Sequence, residues 1–346
     1  MRAPLRAAVI GCGAISEEHL RFLASAEIAE LEAVCDLSPA LAEIARDRHG
    51  ARRAWTDVTV MLAEVRPDVV HVLAPPRTHP DLIRRSLAAG AHVICEKPLA
   101  PSAAETATLL QTAREAGRAL IETRNLLYND VVLEFDRALA DGRVGEPREI
   151  DVSLALDLGH ADVPQDGLGL PGGIAHDYLP HLAYLLLHFA GHAQASDVLG
   201  TVRNTTGVSE IGYDHVDALL RLGDVRARLR ISPDVLPSSM RVAVRGTGGS
   251  LEADMYQPYL RHEGPPWVGK WSPVDLVVQG AALARAGGRN LRDRLLQHGT
   301  YHGMGRMLAA LYTALRDGER LPISEADVMA SALLIDRIVE LAGTRP

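Results

Sequence analysis

The chain has 346 residues and a formal net charge of −8 at pH 7. This length exceeds one ordinary hydrophobic core, so we expect two domains, and the acidic balance argues against a nucleic-acid partner. The sequence shows no signal peptide and no segment as long as a membrane span, so a cytoplasmic protein without a membrane partner is expected. Three cysteines, all in the first third, are consistent with free thiols in a reducing compartment.

Strands and helices alternate through the first third of the chain. Periodicity predicts five strands, at Leu5–Ile10, Leu31–Cys35, Asp68–Ala74, Ala91–Cys95 and Ala119–Ile121. Helical patterns separate them, and the clearest runs from Ser102 to Ala116. Strands separated by helices predict a parallel sheet with right-handed crossovers.

A glycine turn follows the first predicted strand, in the order Gly11-Cys12-Gly13-Ala14-Ile15-Ser16. Gly11 permits a tight turn, and Gly13 allows the backbone to approach a pyrophosphate at the N-terminus of a helix. Ser16 stands where the usual fingerprint has a third glycine. The motif alone is weak, and a plain strand-to-helix turn is the alternative interpretation.

Asp36 directly follows the second predicted strand. An acidic residue about 20 residues beyond the glycines is typically placed to accept hydrogen bonds from the adenosine ribose hydroxyls. The same carboxylate would repel a ribose 2′-phosphate, so NAD is favoured over NADP. The alternative is that Asp36 is the N-cap of the next helix, which Ser38-Pro39 would start equally well.

Two further predicted strand ends carry candidate residues. Pro75, Pro76 and Thr78 follow one of them, and we expect their loop to line the nicotinamide side of a cofactor site, with His79 as a loop or cap residue rather than a catalyst. Lys97 follows the next one, within Glu96-Lys97-Pro98. A lysine at the carboxyl end of a strand in an open α/β sheet faces the crevice where such folds bind ligands.

The pattern changes after Arg124. A helix is predicted at Asn129–Ala140, strands at Arg148–Leu156, Val216–Leu222, Val225–Ile231, Arg241–Arg245 and Ser250–Asp254, and helices at Met307–Leu315 and Ser324–Leu341. Gly223-Asp224 predicts a two-residue hairpin turn, so the sheet is expected to be mostly antiparallel. Arg226, Arg228 and Arg230 share one face, which is either solvated or a subunit contact.

The segment from Pro171 to Tyr184 holds a second set of candidate residues. Asp177 and His181 are four apart and share a helix face, where the carboxylate would orient the imidazole as a proton shuttle. Because proline is tolerated near a helix start, Pro180 allows Asp177 to lie in the lead-in. The alternative is that Asp177 caps the helix and His181 is a satisfied core histidine. The histidines of this half show no metal-ligand spacing, so no metal is expected.

These motifs, in this order and including Gly172-Gly173, resemble the glucose–fructose oxidoreductase / inositol dehydrogenase / MocA family. The resemblance implies an α/β protein. A Rossmann doubly wound parallel sheet would occupy residues 1–124. A substrate-binding and oligomerisation α/β domain with an open, mostly antiparallel sheet would occupy residues 125–346. The last helix is expected to pack back towards the first domain. The outer face of the second sheet would form a homodimer or homotetramer.

The resemblance also implies roles for particular residues. Lys97 would contact the reacting hydroxyl and the nicotinamide ribose, Asp177 would bind and orient the substrate, and His181 would be the general acid/base. The implied substrate is a sugar, cyclitol or related polyol. The implied cofactor residues are Gly11, Gly13, Ala14, Ile15, Asp36, Ala74, Pro75, His79, Glu96 and Lys97, and the implied substrate residues are Lys97, Asn125, Asp177 and His181.

The sequence departs from the family pattern at Ser16, Pro171, Leu179-Pro180 and Tyr184, the last of which stands where many members have an aspartate. Two alternatives therefore stay open. One is a reductase of an imine or a cyclic conjugated substrate, which a pocket with Tyr178 and Tyr184 would favour. The other is a non-catalytic protein that senses a dinucleotide or a sugar, against which the presence of Lys97, Asp177 and His181 together argues.

Overall fold

The computed structural model describes residues 2–157, 170–191, 195–265, 273–296 and 302–342. The chain forms two compact units, the first comprising Met1–Asn125 with Gly303–Leu333 and the second comprising Leu126–His302 with Leu334–Pro346. The sequence predicted a division after Arg124, with the last helix packing back towards the first domain. In the structure, residues 303–333 belong to the first unit, where the Tyr312 hydroxyl contacts His71 and the Arg124 guanidinium donates to the Asp327 carbonyl.

The first unit is built on a parallel sheet, and the described residues give it six strands. They are β1 (Leu5–Ile10), β2 (Ala29–Cys35), β3 (Arg53–Trp55), β4 (Val69–Val72), β5 (His92–Cys95) and β6 (Leu120–Glu122). Their order is β3-β2-β1-β4-β5-β6, with every pairing parallel. The predicted Rossmann sheet is confirmed, and its strand order reverses between β1 and β4, where such folds bind ligands.

Helices connect these strands. They are α1 (Ser16–Ser25), α2 (Pro39–His49), α3 (Val58–Val65), α4 (His79–Ala88) and α5 (Ala103–Glu115). Ala7, Ala8 and Val9 at the centre of β1 have no exposed surface, because helices cover both faces of a doubly wound sheet. The sequence missed β3, whose three residues are too few to show a period.

The second unit contains the other sheet, in which the described residues form seven strands. They are β7 (Pro147–Asp157), β8 (Ala195–Arg203), β9 (His215–Leu222), β10 (Val225–Ser232), β11 (Asp234–Gly246), β12 (Ser250–Asp254) and β13 (Tyr259–Glu263). Their order is β13-β12-β11-β7-β10-β9-β8. β7 and β10 pair in parallel and the other pairings are antiparallel, which confirms the predicted open, mostly antiparallel sheet.

The predicted hairpin has the expected register and faces. Leu222 pairs with Val225 across Gly223-Asp224, as a two-residue turn requires. Along β10, Ala227, Leu229 and Ile231 are buried, whereas the intervening arginines are exposed or half-buried. The hydrophobic side of the sheet therefore follows the period-2 pattern of the sequence.

The remaining helices are α6 (Asp130–Ala140), α7 (Gly173–Phe189), α8 (Pro273–Leu295), α9 (His302–Asp317) and α10 (Glu325–Val339). The sequence missed α8, on which several large apolar side chains, including Leu276, Val277 and Leu291, are exposed. Across the described residues, no helix combines the length and apolar character needed to cross a membrane.

Candidate functional site

The glycine turn brings the ends of two neighbouring strands into contact. Gly11 has a φ of +95°, and a Cβ atom there would lie 2.6 Å from the amide nitrogen of Ala74. Gly13 differs, because none of the described atoms lies within 4 Å of the position that its Cβ would occupy. The Ser16 hydroxyl donates to the Gly13 carbonyl at 2.6 Å and closes the turn where the fingerprint has its third glycine. The turn therefore needs Gly11 for its fold and leaves open space beside Gly13.

Asp36 lies at the end of β2, beside this turn. Its Oδ2 accepts from the backbone N–H of Cys12 at 2.8 Å, and its Oδ1 accepts from the N–H of Ser38 at 2.8 Å. Ser38 is the N-cap of α2, with its hydroxyl accepting from Leu41 N–H, so the structure does not use Asp36 as the cap. A carboxylate has about four acceptor positions, and these two bonds leave acceptor capacity for ribose hydroxyls.

His79 connects the loop after β4 to the segment after β5. Its buried ring has Nε2 2.7 Å from the Ala74 carbonyl oxygen and Nδ1 2.7 Å from the Pro98 carbonyl oxygen. Burial lowers the pKa of His79, and the two carbonyl oxygens act in the opposite direction. A neutral ring donates to one carbonyl and a protonated ring to both. Ala74, Pro75 and the Lys97-Pro98 segment are thus held together through this side chain.

Glu96 and Lys97 follow β5 at the same edge of the sheet. The Glu96 Oε1 lies 3.4 Å from Nε2 of His19, and its Oε2 accepts from the backbone N–H of Lys97 at 3.3 Å. Burial would raise the pKa of Glu96, but the hydrogen bond to His19, together with the charge of Lys97, lowers it to about 2. Glu96 is therefore an anion directly before the half-buried Lys97.

The end of β6 adds a buried ion pair close to this segment. The Arg124 guanidinium donates to Glu122 Oε2 at 3.2 Å and to the Ser331 hydroxyl at 3.1 Å. The other Glu122 oxygen accepts from the backbone N–H of Leu99 at 3.4 Å. Asn125, a predicted substrate residue, is buried directly after this pair. The pair thus links the segment directly before Asn125 to Leu99, in the loop that follows Lys97.

In the second unit, α7 positions the predicted acid/base residues. The helix begins at Gly173, whose φ of +61° and close approach to the Ile211 carbonyl exclude a side chain. Asp177 and His181 are therefore one turn apart within the helix, and Asp177 lies neither in a lead-in nor at the N-cap, which is Gly172. Both side chains are half-buried, so the predicted shared face is confirmed.

The hydroxyl of Tyr184 contacts His181. It lies 2.9 Å from Nδ1 of the imidazole, and the two rings meet edge to face. Tyr184 is fully buried, so its position is determined by packing rather than by solvent. The residue that departs from the family pattern thus contacts the predicted general acid/base.

Sequence reasoning missed three buried polar residues of the first unit, His19, His71 and Tyr312. For His71 the signal was its place in the otherwise apolar strand β4. A polar side chain buried in such a strand is costly unless it is hydrogen-bonded, so His71 should have a partner. His19 shares the buried face of α1 with Leu20 and Leu23. Tyr312 contacts His71 across 241 residues of sequence, and no local pattern indicates that contact.

Two kinds of chemistry find no support in the site. Cys12, Cys35 and Cys95 are buried free thiols, and burial, followed by the charge of Asp36, raises the pKa of Cys12 to about 12. A thiol in this state is a poor nucleophile. Within the described part of the chain, no group of three or more His, Cys, Asp or Glu side chains is arranged to hold a metal ion.

Comparison with known proteins finds a family model that matches the first unit. Residues 5–123 match the model of the GFO/IDH/MocA oxidoreductase family with an NAD-binding Rossmann fold. The chain is 32% identical to D-glucoside 3-dehydrogenase from Escherichia coli over 167 residues. This aligned stretch is 48% of this chain and 47% of that enzyme, so the chain spans about half the length of that relative. It is 25% identical over 259 residues to inositol 2-dehydrogenase from Rhizobium meliloti, covering 73% of this chain and 77% of that one.

Solved structures show the same fold over almost the full length. An oxidoreductase from Agrobacterium radiobacter in complex with NAD⁺, L-tartaric acid and magnesium has a TM-score of 0.78 at 18% identity, covering 97% of this chain and 96% of that one. A 3-ketoreductase from Actinomadura kijaniata in complex with TDP-benzene and NADP has a TM-score of 0.76 at 21% identity and covers 98% of each chain. The two neighbours bind different dinucleotides, so the comparison does not choose between NAD and NADP.

Proposed function

We propose that this protein is an NAD-dependent oxidoreductase that transfers a hydride between the nicotinamide and a carbinol or carbonyl carbon of a sugar, cyclitol or related polyol. One observation carries the proposal. The glycine turn and Asp36 meet at the carboxyl edge of the first sheet, and the Lys97 segment leaves the same edge two strands away. This is the edge at which open α/β sheets bind dinucleotides and their substrates.

The residues at this edge fit a dinucleotide. Gly13 leaves space for a pyrophosphate beside the first turn of α1, where Ala14 and Ile15 supply backbone N–H groups. Asp36 would accept hydrogen bonds from the two ribose hydroxyls. A 2′-phosphate would place negative charge against this carboxylate, which supports NAD rather than NADP. Ala74, Pro75, His79 and Glu96 would contact the nicotinamide half.

The chain's own side chains would bind the substrate and move its proton. When bound, the nicotinamide accepts or supplies the hydride. Lys97 would donate a hydrogen bond to the reacting oxygen, and Asp177 and Asn125 would hold other hydroxyls of the substrate. In oxidation, the carbinol loses its hydride from carbon and its proton from oxygen to Nε2 of His181. In reduction, His181 returns that proton.

Two features support a polyol as the substrate. The relatives matched are named for a D-glucoside and an inositol. Asp177, His181 and Lys97 are polar groups of the kind that recognise several hydroxyls. Self-association through the outer face of the second sheet and a cytoplasmic location stay predictions.

The test measures cofactor binding and turnover separately. Calorimetric titration with NAD, NADH, NADP and NADPH should give tighter binding of the non-phosphorylated pair. NADH formation is then followed with D-glucosides, inositols, aldoses and amino sugars, and NADH consumption with the corresponding ketones. Tight NAD binding without turnover of any substrate would contradict the enzyme and favour a sensor. Turnover restricted to imines or conjugated rings would contradict the polyol class.

A further inference from the structure

A chain of hydrogen bonds runs through the interior of the first unit. The Tyr312 hydroxyl of α9 lies 2.8 Å from Nε2 of His71, and Nδ1 of His71 lies 2.8 Å from Nδ1 of His19. His19 Nε2 then lies 3.4 Å from Oε1 of Glu96. Tyr312 and the two histidines have no exposed surface. We refer to Tyr312, His71, His19 and Glu96 as the buried chain.

The protons of the buried chain can be assigned from its ends. Burial raises the pKa of Tyr312 and lowers that of His71, so the phenol keeps its proton and the imidazole of His71 carries one N–H. Glu96 is an anion and accepts, so His19 must donate from Nε2. With that hydrogen on Nε2, His19 accepts at Nδ1 from His71 Nδ1–H, and His71 accepts at Nε2 from the Tyr312 hydroxyl. Every bond has one donor and one acceptor.

If the hydrogen bonds of the buried chain ran in the opposite direction, the Tyr312 hydroxyl would be left unsatisfied. A protonated His19 would donate to both Glu96 and His71, and His71 would then donate from Nε2 to the Tyr312 oxygen. The phenolic hydrogen would have no acceptor within the hydrogen bonds of the described residues. A buried hydroxyl without an acceptor is costly, so the direction from Tyr312 to Glu96 is favoured.

The buried chain ends on the residue that holds the Lys97 backbone. One Glu96 oxygen faces His19, and the other accepts from the backbone N–H of Lys97. Aligned hydrogen bonds polarise one another, so each donor upstream strengthens the donation to the Glu96 carboxylate. The Tyr312 end is buried and does not reach solvent, which makes the buried chain a means of orientation rather than a route for protons.

We propose that His19, His71 and Tyr312 are positioning residues, which hold the Glu96 carboxylate in one orientation and through it the segment that presents Lys97. The catalytic part of this inference rests on the proposed function, whereas the proton arrangement does not. A purely structural role would change stability alone. A positioning role would change the rate of the chemical step.

The proton arrangement is tested by NMR of the full-length protein labelled with ¹⁵N-histidine. We expect His19 as the Nε2–H tautomer and His71 as the Nδ1–H tautomer, with assignments made from His19→Gln and His71→Gln spectra. A protonated His19, or the reverse tautomers, would overturn the assignment. This measurement needs no substrate, so it tests the proton arrangement of the buried chain even if the proposed function is wrong.

The positioning role is tested by kinetics with a rescue. His19→Met removes the donor to Glu96 and should lower kcat about tenfold or more, with the Kd for NAD unchanged. His19→Gln keeps an N–H near the Nε2 position and should remain within about threefold of the wild type. Tyr312→Phe keeps the ring and removes the terminal donor, and a loss of about threefold is expected.

Two variants of the second unit control for the loss of similar hydrogen bonds. His188→Met removes a histidine–carboxylate contact with Asp136, and Tyr259→Phe removes a tyrosine–carboxylate bond to Glu252. Neither should change kcat. If His19→Met and Tyr312→Phe match these controls in kcat, the positioning role is overturned. If His19→Met lowers kcat and His19→Gln fails to restore it although the protein is folded, the donor to Glu96 is not the cause and the proposal fails.

Discussion

The two units hold their candidate residues by different means. In the first unit, main-chain groups hold two of the candidate residues, as Asp36 accepts from two backbone N–H groups and His79 lies between two backbone carbonyls. On α7 of the second unit, the ring of His181 is contacted by the side chain of Tyr184. Backbone contacts persist through most substitutions, whereas a side-chain contact is lost with one. The cofactor half of the proposed site should therefore be robust, and the acid/base half adjustable.

The largest expected effects come from removing Lys97 and His181. Because general acid/base groups typically contribute 10²–10⁴-fold, Lys97→Ala and His181→Ala should each lower kcat by on the order of a thousandfold. Neither should change the Kd for NAD, which the turn and Asp36 determine. His188→Ala on the same helix is the control and should retain full activity. Loss of NAD binding in His181→Ala would show that the acid/base assignment is wrong.

Substitutions in the glycine turn test the proposed cofactor site, which main-chain groups form. Gly11→Ala forces a Cβ against Ala74 at positive φ and should lower the free energy of unfolding by on the order of 3 kcal/mol. The methyl group that Gly13→Ala adds would have none of the described atoms within 4 Å. This variant should therefore change the free energy of unfolding by less than about 0.5 kcal/mol.

The same Gly13→Ala variant should bind NAD at least about tenfold more weakly, because the methyl group would occupy the space proposed for the pyrophosphate. Thermal unfolding and calorimetric titration measure the two effects separately. Unchanged NAD affinity in a stable Gly13→Ala protein would remove the turn from the proposed cofactor site.

Asp36 should set the cofactor preference. Asp36→Ala removes the proposed acceptor for the ribose hydroxyls. It should weaken the binding of NAD by roughly 10- to 100-fold, since a hydrogen bond to a charged group contributes about 1.5–3 kcal/mol. NADP should be affected less, because its 2′-phosphate no longer meets a carboxylate. Asp36→Asn keeps one acceptor for Cys12 or Ser38 and separates the loss of charge from the loss of turn structure. An unchanged ratio of NAD to NADP affinity in both variants would exclude the ribose role.

Local patterns predicted what local physics determines. The strand at Leu5–Ile10, the hairpin around Gly223-Asp224 and the strand at Ser250–Asp254 follow from periodicity and turn chemistry, and their bounds agree with the structure closely. The turn–Asp36 pairing was predictable because parallel strands end at one edge. Contacts between residues far apart in sequence could not be predicted in this way. The contact between Tyr312 and His71 in the buried chain is an example.

The family resemblance implied that the last helix packs back towards the first domain, but the contacts that place residues 303–333 in the first unit could not be predicted from local patterns. Arg124 donates to the Asp327 carbonyl and the Ser331 hydroxyl, more than 200 residues away in sequence. No period or spacing in either segment encodes that pairing. Tyr184 is an intermediate case, because its spacing from His181 and its departure from the family pattern were visible, but its hydrogen bond was not.

Tyr184→Phe should have the smallest effect and the most specific one. It removes the hydroxyl 2.9 Å from His181 Nδ1 and keeps the buried ring, so the free energy of unfolding should fall by only about 1 kcal/mol. If the hydroxyl orients the imidazole, kcat should fall about tenfold with the Kd for NAD unchanged. Tyr184→Asp would place a carboxylate at Nδ1 and favour the protonated ring, so the pH profile of kcat should move to higher pH. Wild-type kcat in Tyr184→Phe would mean that packing alone orients His181, and the contrast between the two units would then disappear.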